Sequence, residues 1–182
     1  MPMTAHTESP APRDMEATVV PDNTQLTELT HTSVLSNLRR RHLARSIYTY
    51  TGSILIAMNP YAELSIYGPD NMSRYLDKTA RKATPHVFAL AEEAYCLLRK
   101  ERRSQSLVVS GDSGAGKTET NKHLMRYLAW RSRQGRSEGQ AADDLAEAVL
   151  QSNPVLEAFG NARTGRNNNS SRFGKFVKIV VE

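Results

Sequence analysis

The chain has 182 residues, 39% of them hydrophobic, which suits one domain or part of a larger one with a modest core. Its 24 Lys and Arg against 19 Asp and Glu give a net charge of +5, but the basic residues fall in short clusters (Arg39 to Arg41, Lys100 to Arg103, Arg131 to Arg136) without interleaved aromatics, so no nucleic-acid partner is expected. No apolar run exceeds five residues, which excludes a helical membrane span, and the single cysteine, Cys96, excludes an internal disulfide and a cysteine-based metal cluster.

Residues 1–23 carry Pro2, Pro10, Pro12 and Pro21 with little periodicity and read as a disordered leader; they lack the apolar stretch of a signal peptide, so a cytoplasmic location is expected. From Ser33 the spacing predicts a helix with Val34, Leu35, Leu38 and Leu43 on its inner face. Ile47 to Tyr50 and Ser53 to Met58 are β-rich runs separated by Thr51 and Gly52, the pattern of a hairpin, and Asn59 with Pro60 ends the second strand. A helix is expected at about 69–78. Another starts with Thr84 as N-cap and Pro85 at its first position, and would bury Val87, Leu90, Ala91, Ala94, Leu97 and Leu98.

The most informative stretch follows. The apolar run Ser106 to Ser110 predicts a short strand, which leads into GDSGAGKTET from Gly111 to Thr120, a phosphate-binding loop of the form GxxxxGK[ST]; helical spacing then resumes at Leu124, Met125, Leu128 and Ala129. Gly111, Gly114 and Gly116 permit backbone angles that curl successive amides around phosphate oxygens, at the N-terminus of a helix whose dipole favours an anion. Lys117 supplies an ammonium for the β- and γ-phosphates, and the Thr118 hydroxyl suits Mg2+.

Residues 132–142 read as a polar surface connection, and Asp143 or Asp144 caps a helix through Leu145, Val149 and Leu150 that Asn153 and Pro154 break. The polar loop Asn167 to Lys175, NNNSSRFGK, offers hydroxyls and donors that suit a second Mg2+ ligand and a γ-phosphate. In the closing FGKFVKIVVE, Val177, Ile179 and Val181 would share one face of a strand. Since the chain stops inside that strand, the sequence reads as the N-terminal piece of a bigger domain.

Three blocks together resemble the myosin motor head: NPYAELSIYG (Asn59 to Gly68), similar to the family's purine-binding loop; GDSGAGKTETNK (Gly111 to Lys122); and NARTGRNNNSSRFGKF (Asn161 to Phe176), similar to its first switch. LTELTHTSVLSNLRRR, PHVFALAEEAY and SNPVLEAFGNA also look like the family, so the resemblance spans about residues 24–182. It implies an α/β P-loop NTPase fold with an incomplete mixed sheet flanked by helices. It further implies that Asn59, Pro60, Tyr61 and Tyr67 line the adenine site, and that Gly111, Asp112, Ser113, Gly114, Ala115, Gly116, Lys117 and Thr118 hold the phosphates of ATP. Thr118 and Ser171 would be the protein ligands of Mg2+, Asn167 and Ser170 would face the γ-phosphate and lytic water, and Arg172 would pair with a glutamate of a second switch outside this chain.

Departures from the family pattern are Ser65 in place of a proline, Asp112 in place of a glutamate, Gly165 where a larger side chain is usual, and a short leader in place of a small N-terminal β-barrel. The family also implies actin filaments as partner through parts of the head not in this chain, light chains or calmodulin on the complete protein, and a place in the actin cytoskeleton. Without a second switch, this piece alone is expected to hydrolyse ATP poorly or not at all. Two other readings are a truncated, non-enzymatic fragment that binds nucleotide weakly and an unrelated P-loop kinase; nothing in the chain indicates the lid and acceptor site that the kinase needs.

Overall fold

The computed structural model describes residues 19–78, 83–134, 154–155, 157–165, 167–172, 174, 176 and 178. Of the expected leader only residues 19–23 are described, and two of them are already packed: Val20 and Asn23 are buried. A short 3-10 turn, Asn23–Gln25, follows Asp22, whose carboxylate accepts hydrogen bonds from the amides of Thr24 (2.9 Å) and Gly52 (3.2 Å) and so ties the start of the chain to the hairpin turn.

Helix α1 (His31–Leu43) begins at a capping box in which Thr30 and Ser33 exchange backbone-to-hydroxyl bonds. Its expected apolar face is only partly buried: Leu35 and Leu43 are 67% and 74% exposed, and the one buried residue of the helix is Asn37. The Asn37 amide accepts from the Val20 amide (3.0 Å) and donates to the Val20 carbonyl (3.0 Å) and to Asn23 Oδ1 (2.8 Å), so α1 turns toward the backbone it satisfies. Arg41 donates to Thr49 Oγ1 (2.9 Å) and the Tyr48 carbonyl (2.8 Å), fixing α1 against the first strand.

Strands β1 (Tyr48–Thr51) and β2 (Ile54–Ala57) form the expected antiparallel hairpin, in register Tyr48 with Ala57 and Thr51 with Ile54. Gly52, at φ 63, supplies the positive angle that a two-residue hairpin loop demands. Helix α2 (Pro69–Ser73) is shorter than the sequence suggested; turns carry the chain on to Asp77, at φ 54.

Helix α3 (Val87–Glu101) starts two residues later than expected. His86 caps it, its Nδ1 accepting from the Phe88 amide (3.1 Å), because the Thr84 hydroxyl is engaged with Tyr75 OH (3.0 Å). Val87, Phe88, Ala89, Ala91, Glu92 and Tyr95 are its buried residues. Phe88 stacks on Tyr127 of helix α4 (Lys117–Arg133) with ring centroids 4.9 Å apart, at the centre of a core that also holds Ile47, Tyr48, Tyr50, Met72 and Leu124.

The expected strand at Ser106 to Ser110 is not formed: residues 102–110 carry no ladder, and Val108 is 89% exposed. A strand exists only by hydrogen bonding to a neighbour, and no described segment pairs with this one. The described residues of the closing segment, 174, 176 and 178, are likewise not in a strand, while Val177, Ile179 and Val181 lie outside the described residues, as does the expected helix of Asp143 to Leu150. Pro154 stands in helical backbone; the helix it was expected to end lies outside the described residues. Strands β3 (Asn161–Ala162) and β4 (Ser170–Ser171) make a second antiparallel pair, so the described residues contain two small two-stranded sheets.

The cap of α3 makes stability depend on pH. His86 is enclosed by Tyr48, Tyr75 and Phe88 at centroid distances of 4.8, 5.2 and 4.4 Å. Burial, then the charge of His123, pushes its pKa down to about 4. An imidazole that titrates lower in the folded state than in the unfolded one contributes its full stability above about pH 6.5 and loses it as the pH falls toward 4, here about 3 kcal/mol. Urea titrations at pH 7.5 and 4.5 should show that loss. His86→Asn, which keeps an N-cap acceptor without a titrating ring, should remove the His86 share of it.

Candidate nucleotide site

The loop from Gly111 to Gly116 joins the unpaired segment 102–110 to α4, and its shape depends on glycine. Gly114 and Gly116 sit at φ 80 and 99, in the left-handed region, and a Cβ on Gly111 would lie 3.3 Å from that of Ala115. The Ala115 amide closes a turn onto the Asp112 carbonyl (3.2 Å), and Gly116 is the N-cap of α4, so the first amides of that helix open at the loop. Lys117 is the first residue of α4, and its ammonium arches back to donate to the carbonyls of Gly111 and Asp112, 2.8 Å each. In this arrangement the lysine braces the loop through two charge-assisted bonds.

Two distant segments meet this loop. Asn59 donates from Nδ2 to the Gly114 carbonyl (2.8 Å), while its Oδ1 accepts from the Tyr61 amide (2.9 Å) and its own carbonyl lies 3.1 Å from His42 Nε2. On the other side, the Ser113 hydroxyl is 2.8 Å from that of Ser170, which is 3% exposed, and 3.5 Å from that of Thr164. The loop between β3 and β4 is held by bonds from the Thr164 amide to the Asn167 carbonyl (2.8 Å), from the Asn167 amide to the Thr164 carbonyl (3.3 Å) and hydroxyl (3.0 Å), and from the Asn169 amide to Asn167 Oδ1 (3.0 Å).

Asn59, Gly114, Ser113, Ser170 and Lys117 therefore belong to one cluster, with Asn167 three residues from Ser170 in the same braced loop. Thr118 and Ser171 are half-buried hydroxyls, one on the first turn of α4 and one at the end of β4. Pro60 is half-buried, and Tyr61 is 86% exposed at φ 47. Tyr67 is half-buried, with its hydroxyl 2.9 Å from that of Tyr48. The Arg172 side chain is exposed; its amide bonds the Gly160 carbonyl (3.1 Å), and it has no ion pair among the described residues.

Sequence reasoning passed over three participants: His42, Thr164 and His123. His123 follows Lys117 by six residues on α4, and its ring lies flat on that of Tyr67, with centroids 3.5 Å apart and planes at 6°. Threonine followed by glycine at 164–165 is a turn signal that would have marked the first brace of the switch-like loop.

A loop with glycines at positive φ feeding a helix that begins Lys-Thr is the arrangement of the P-loop class. Residues 20–182 match the family model of the myosin head (motor domain). Myosin-11 of Arabidopsis thaliana is 52% identical over 174 residues, covering 94% of this chain and 11% of that protein, and Myosin-9 of the same plant is 51% identical over 174 residues with the same coverage. Myosin-7 is 52% identical over 164 residues, 90% of this chain and 9% of its own length. The chain belongs to the myosin head family, and with it to the P-loop NTPase fold. It spans about a tenth of the length of the curated relatives it matches.

Proposed function

We propose that this chain is the nucleotide-binding part of an actin-based motor whose complete form couples MgATP hydrolysis to movement along actin filaments. The observation that carries the reading is the convergence of three separate sequence blocks on one loop: Asn59 reaches Gly114, and Ser170 reaches Ser113. In this reading Asn59, Pro60, Tyr61 and Tyr67 take the adenine, and residues 111–118 take the phosphates. Asn167 and Ser170 meet the γ-phosphate and lytic water. The glycine cradle, which a Cβ at Gly111 would crowd, and a donor set of hard hydroxyl oxygens at Thr118 and Ser171 suit MgATP. When bound, Mg2+ would neutralise developing phosphate charge.

The contact between Ser113 and Ser170 gives the first switch a direct way to sense the loop's contents. A γ-phosphate arriving there competes for the same hydroxyls and would reorder the β3–β4 loop. Arg172, exposed and without an ion pair among the described residues, suits an ion pair with an acidic residue elsewhere in the complete head. The complete domain would continue this segment into a mixed sheet flanked by helices. The protein would act in the cytoplasm on the actin cytoskeleton, with light chains or calmodulin as further subunits. No helix among the described residues is long and apolar enough to cross a membrane.

The test is actin-activated ATP turnover by the complete protein containing this segment. Arg172→Ala should leave MgATP affinity within about threefold and lower turnover by about 100-fold or more, the scale of losing one preorganised stabilising group. Unchanged turnover in that variant would remove the first-switch assignment, and a complete protein that neither binds MgATP nor responds to actin would remove the motor reading.

A further inference from the structure

The segment from Asn59 to Gly68 is held at one end to the phosphate loop and at the other to the helix that follows that loop. At the first end, the Asn59 amide donates to the Gly114 carbonyl. At the second, the Tyr67 ring lies against His123 with centroids 3.5 Å apart and planes 6° from parallel, while the Tyr67 hydroxyl meets that of Tyr48 on β1 at 2.9 Å. His86 and Phe88 also lie beside Tyr67, at centroid distances of 5.5 and 6.1 Å, and the ring stays half-buried. His123 rides on the helix that carries Lys117, about 9 Å further along its axis at ordinary helical rise.

We infer that His123 is the positioning residue of the purine loop: by lying flat on Tyr67 it holds the Asn59 to Gly68 segment at a fixed distance from the phosphate loop, and so sets the spacing between base and triphosphate. The inference rests on the nucleotide-site reading above and adds a residue to it. A flat, uncharged ring is required. The Nδ1 of His123 is buried with no hydrogen-bond partner among the described residues, so the imidazole contributes through its face rather than through a hydrogen bond at that atom. Burial, followed by the charges of Arg126 and Lys122, keeps the ring neutral by lowering its pKa to about 4, against the opposing pull of Glu119; Tyr67 and His86 face it from the neighbouring elements.

A ring that positions the base segment should matter for a ligand with a base and not for one without. The probes are therefore MgATP and magnesium pyrophosphate, titrated by calorimetry against the complete protein containing this segment, with circular dichroism as the check on folding. His123→Ala should weaken MgATP about 3- to 10-fold, the equivalent of one aromatic pair, and leave pyrophosphate affinity unchanged. His123→Phe, which restores a flat ring, should recover MgATP affinity, whereas His123→Leu, apolar but not flat, should not.

A role confined to packing would move both ligands together or be rescued equally by Leu and Phe, and either result overturns the inference while leaving the nucleotide site in place. If the wild-type protein bound neither probe, the nucleotide-site reading would fail first and this inference with it.

Discussion

Replacing Lys117 with alanine is expected to weaken MgATP binding by about 100-fold or more. The Lys117 ammonium has three donors, and two are engaged with the Gly111 and Asp112 carbonyls at 2.8 Å. In the proposed site those bonds hold the cation over the loop until phosphate oxygens take its donors, so the charge needs little reorganisation when the ligand arrives. A hydrogen bond to a charged group contributes about 1.5–3 kcal/mol, and losing even one at the upper end of that range, together with the neutralising charge, accounts for a factor of about 100. Lys117→Arg should recover only part of the loss, since a rigid planar fork cannot make the two short carbonyl contacts of a compact ammonium in the same place. Equilibrium titration with a fluorescent ATP analogue checks both variants, and an alanine variant within threefold of wild type would show that the loop amides alone hold the phosphates.

The phosphate loop was legible in the sequence because its requirements are local. Three glycines at fixed offsets and a Lys-Thr pair state backbone angles and charges directly, and Gly114 and Gly116 adopt the positive φ values that call for glycine. The β1–β2 hairpin was legible for the same reason, with Gly52 marking its turn. What escaped depends on partners far along the chain. Periodicity placed Leu35 and Leu43 inside α1, but Asn37 is the residue the fold buries, because its amide completes the backbone at Val20. Thr84 was a sound cap by type, yet Tyr75 takes its hydroxyl and His86 takes the role. The run Ser106 to Ser110 has strand composition without a paired neighbour among the described residues, and composition alone does not make a ladder. Within the site, Asn59 and Ser170 could be singled out from their blocks, but their meeting with Gly114 and Ser113 is a fact of tertiary structure.

Among the described residues Glu92 is the buried polar residue on which the most side chains depend, and Glu92→Ala is expected to destabilise the chain by about 3–5 kcal/mol. Its carboxylate is wholly buried on α3. Oε1 accepts from the Asp77 amide (3.0 Å), Cys96 Sγ (3.2 Å) and Arg131 Nε (3.0 Å), and Oε2 accepts from Tyr127 OH (2.9 Å) and Arg131 Nε (2.9 Å). Arg131, near the end of α4, also pairs with Asp77 Oδ1 (2.9 Å) and lies 4.8 Å over the Tyr95 ring. One carboxylate thus joins α3, the far end of the phosphate-loop helix and the left-handed turn at Asp77. Burial works against the charge of Arg131, but the Glu92 bond and charge win and raise its pKa; burial and then Glu92 push the Cys96 thiol up to about 11, so it stays protonated at neutral pH.

Removing the carboxylate would leave the Asp77 amide, the Tyr127 hydroxyl and a largely buried guanidinium short of their shared acceptor, and a cavity besides. Glu92→Gln keeps the volume and loses the charge, so its cost should be smaller but still above 1 kcal/mol. Because Glu92 and Arg131 each make the other affordable to bury, the double variant Glu92→Met with Arg131→Met should cost less than the sum of the single ones, by about 1–3 kcal/mol. Urea denaturation of the four species measures that coupling. A Glu92→Ala variant within 1 kcal/mol of wild type, or strictly additive costs, would mean that water reaches this network and that α3 and α4 are held together chiefly by the Phe88 and Tyr127 stack.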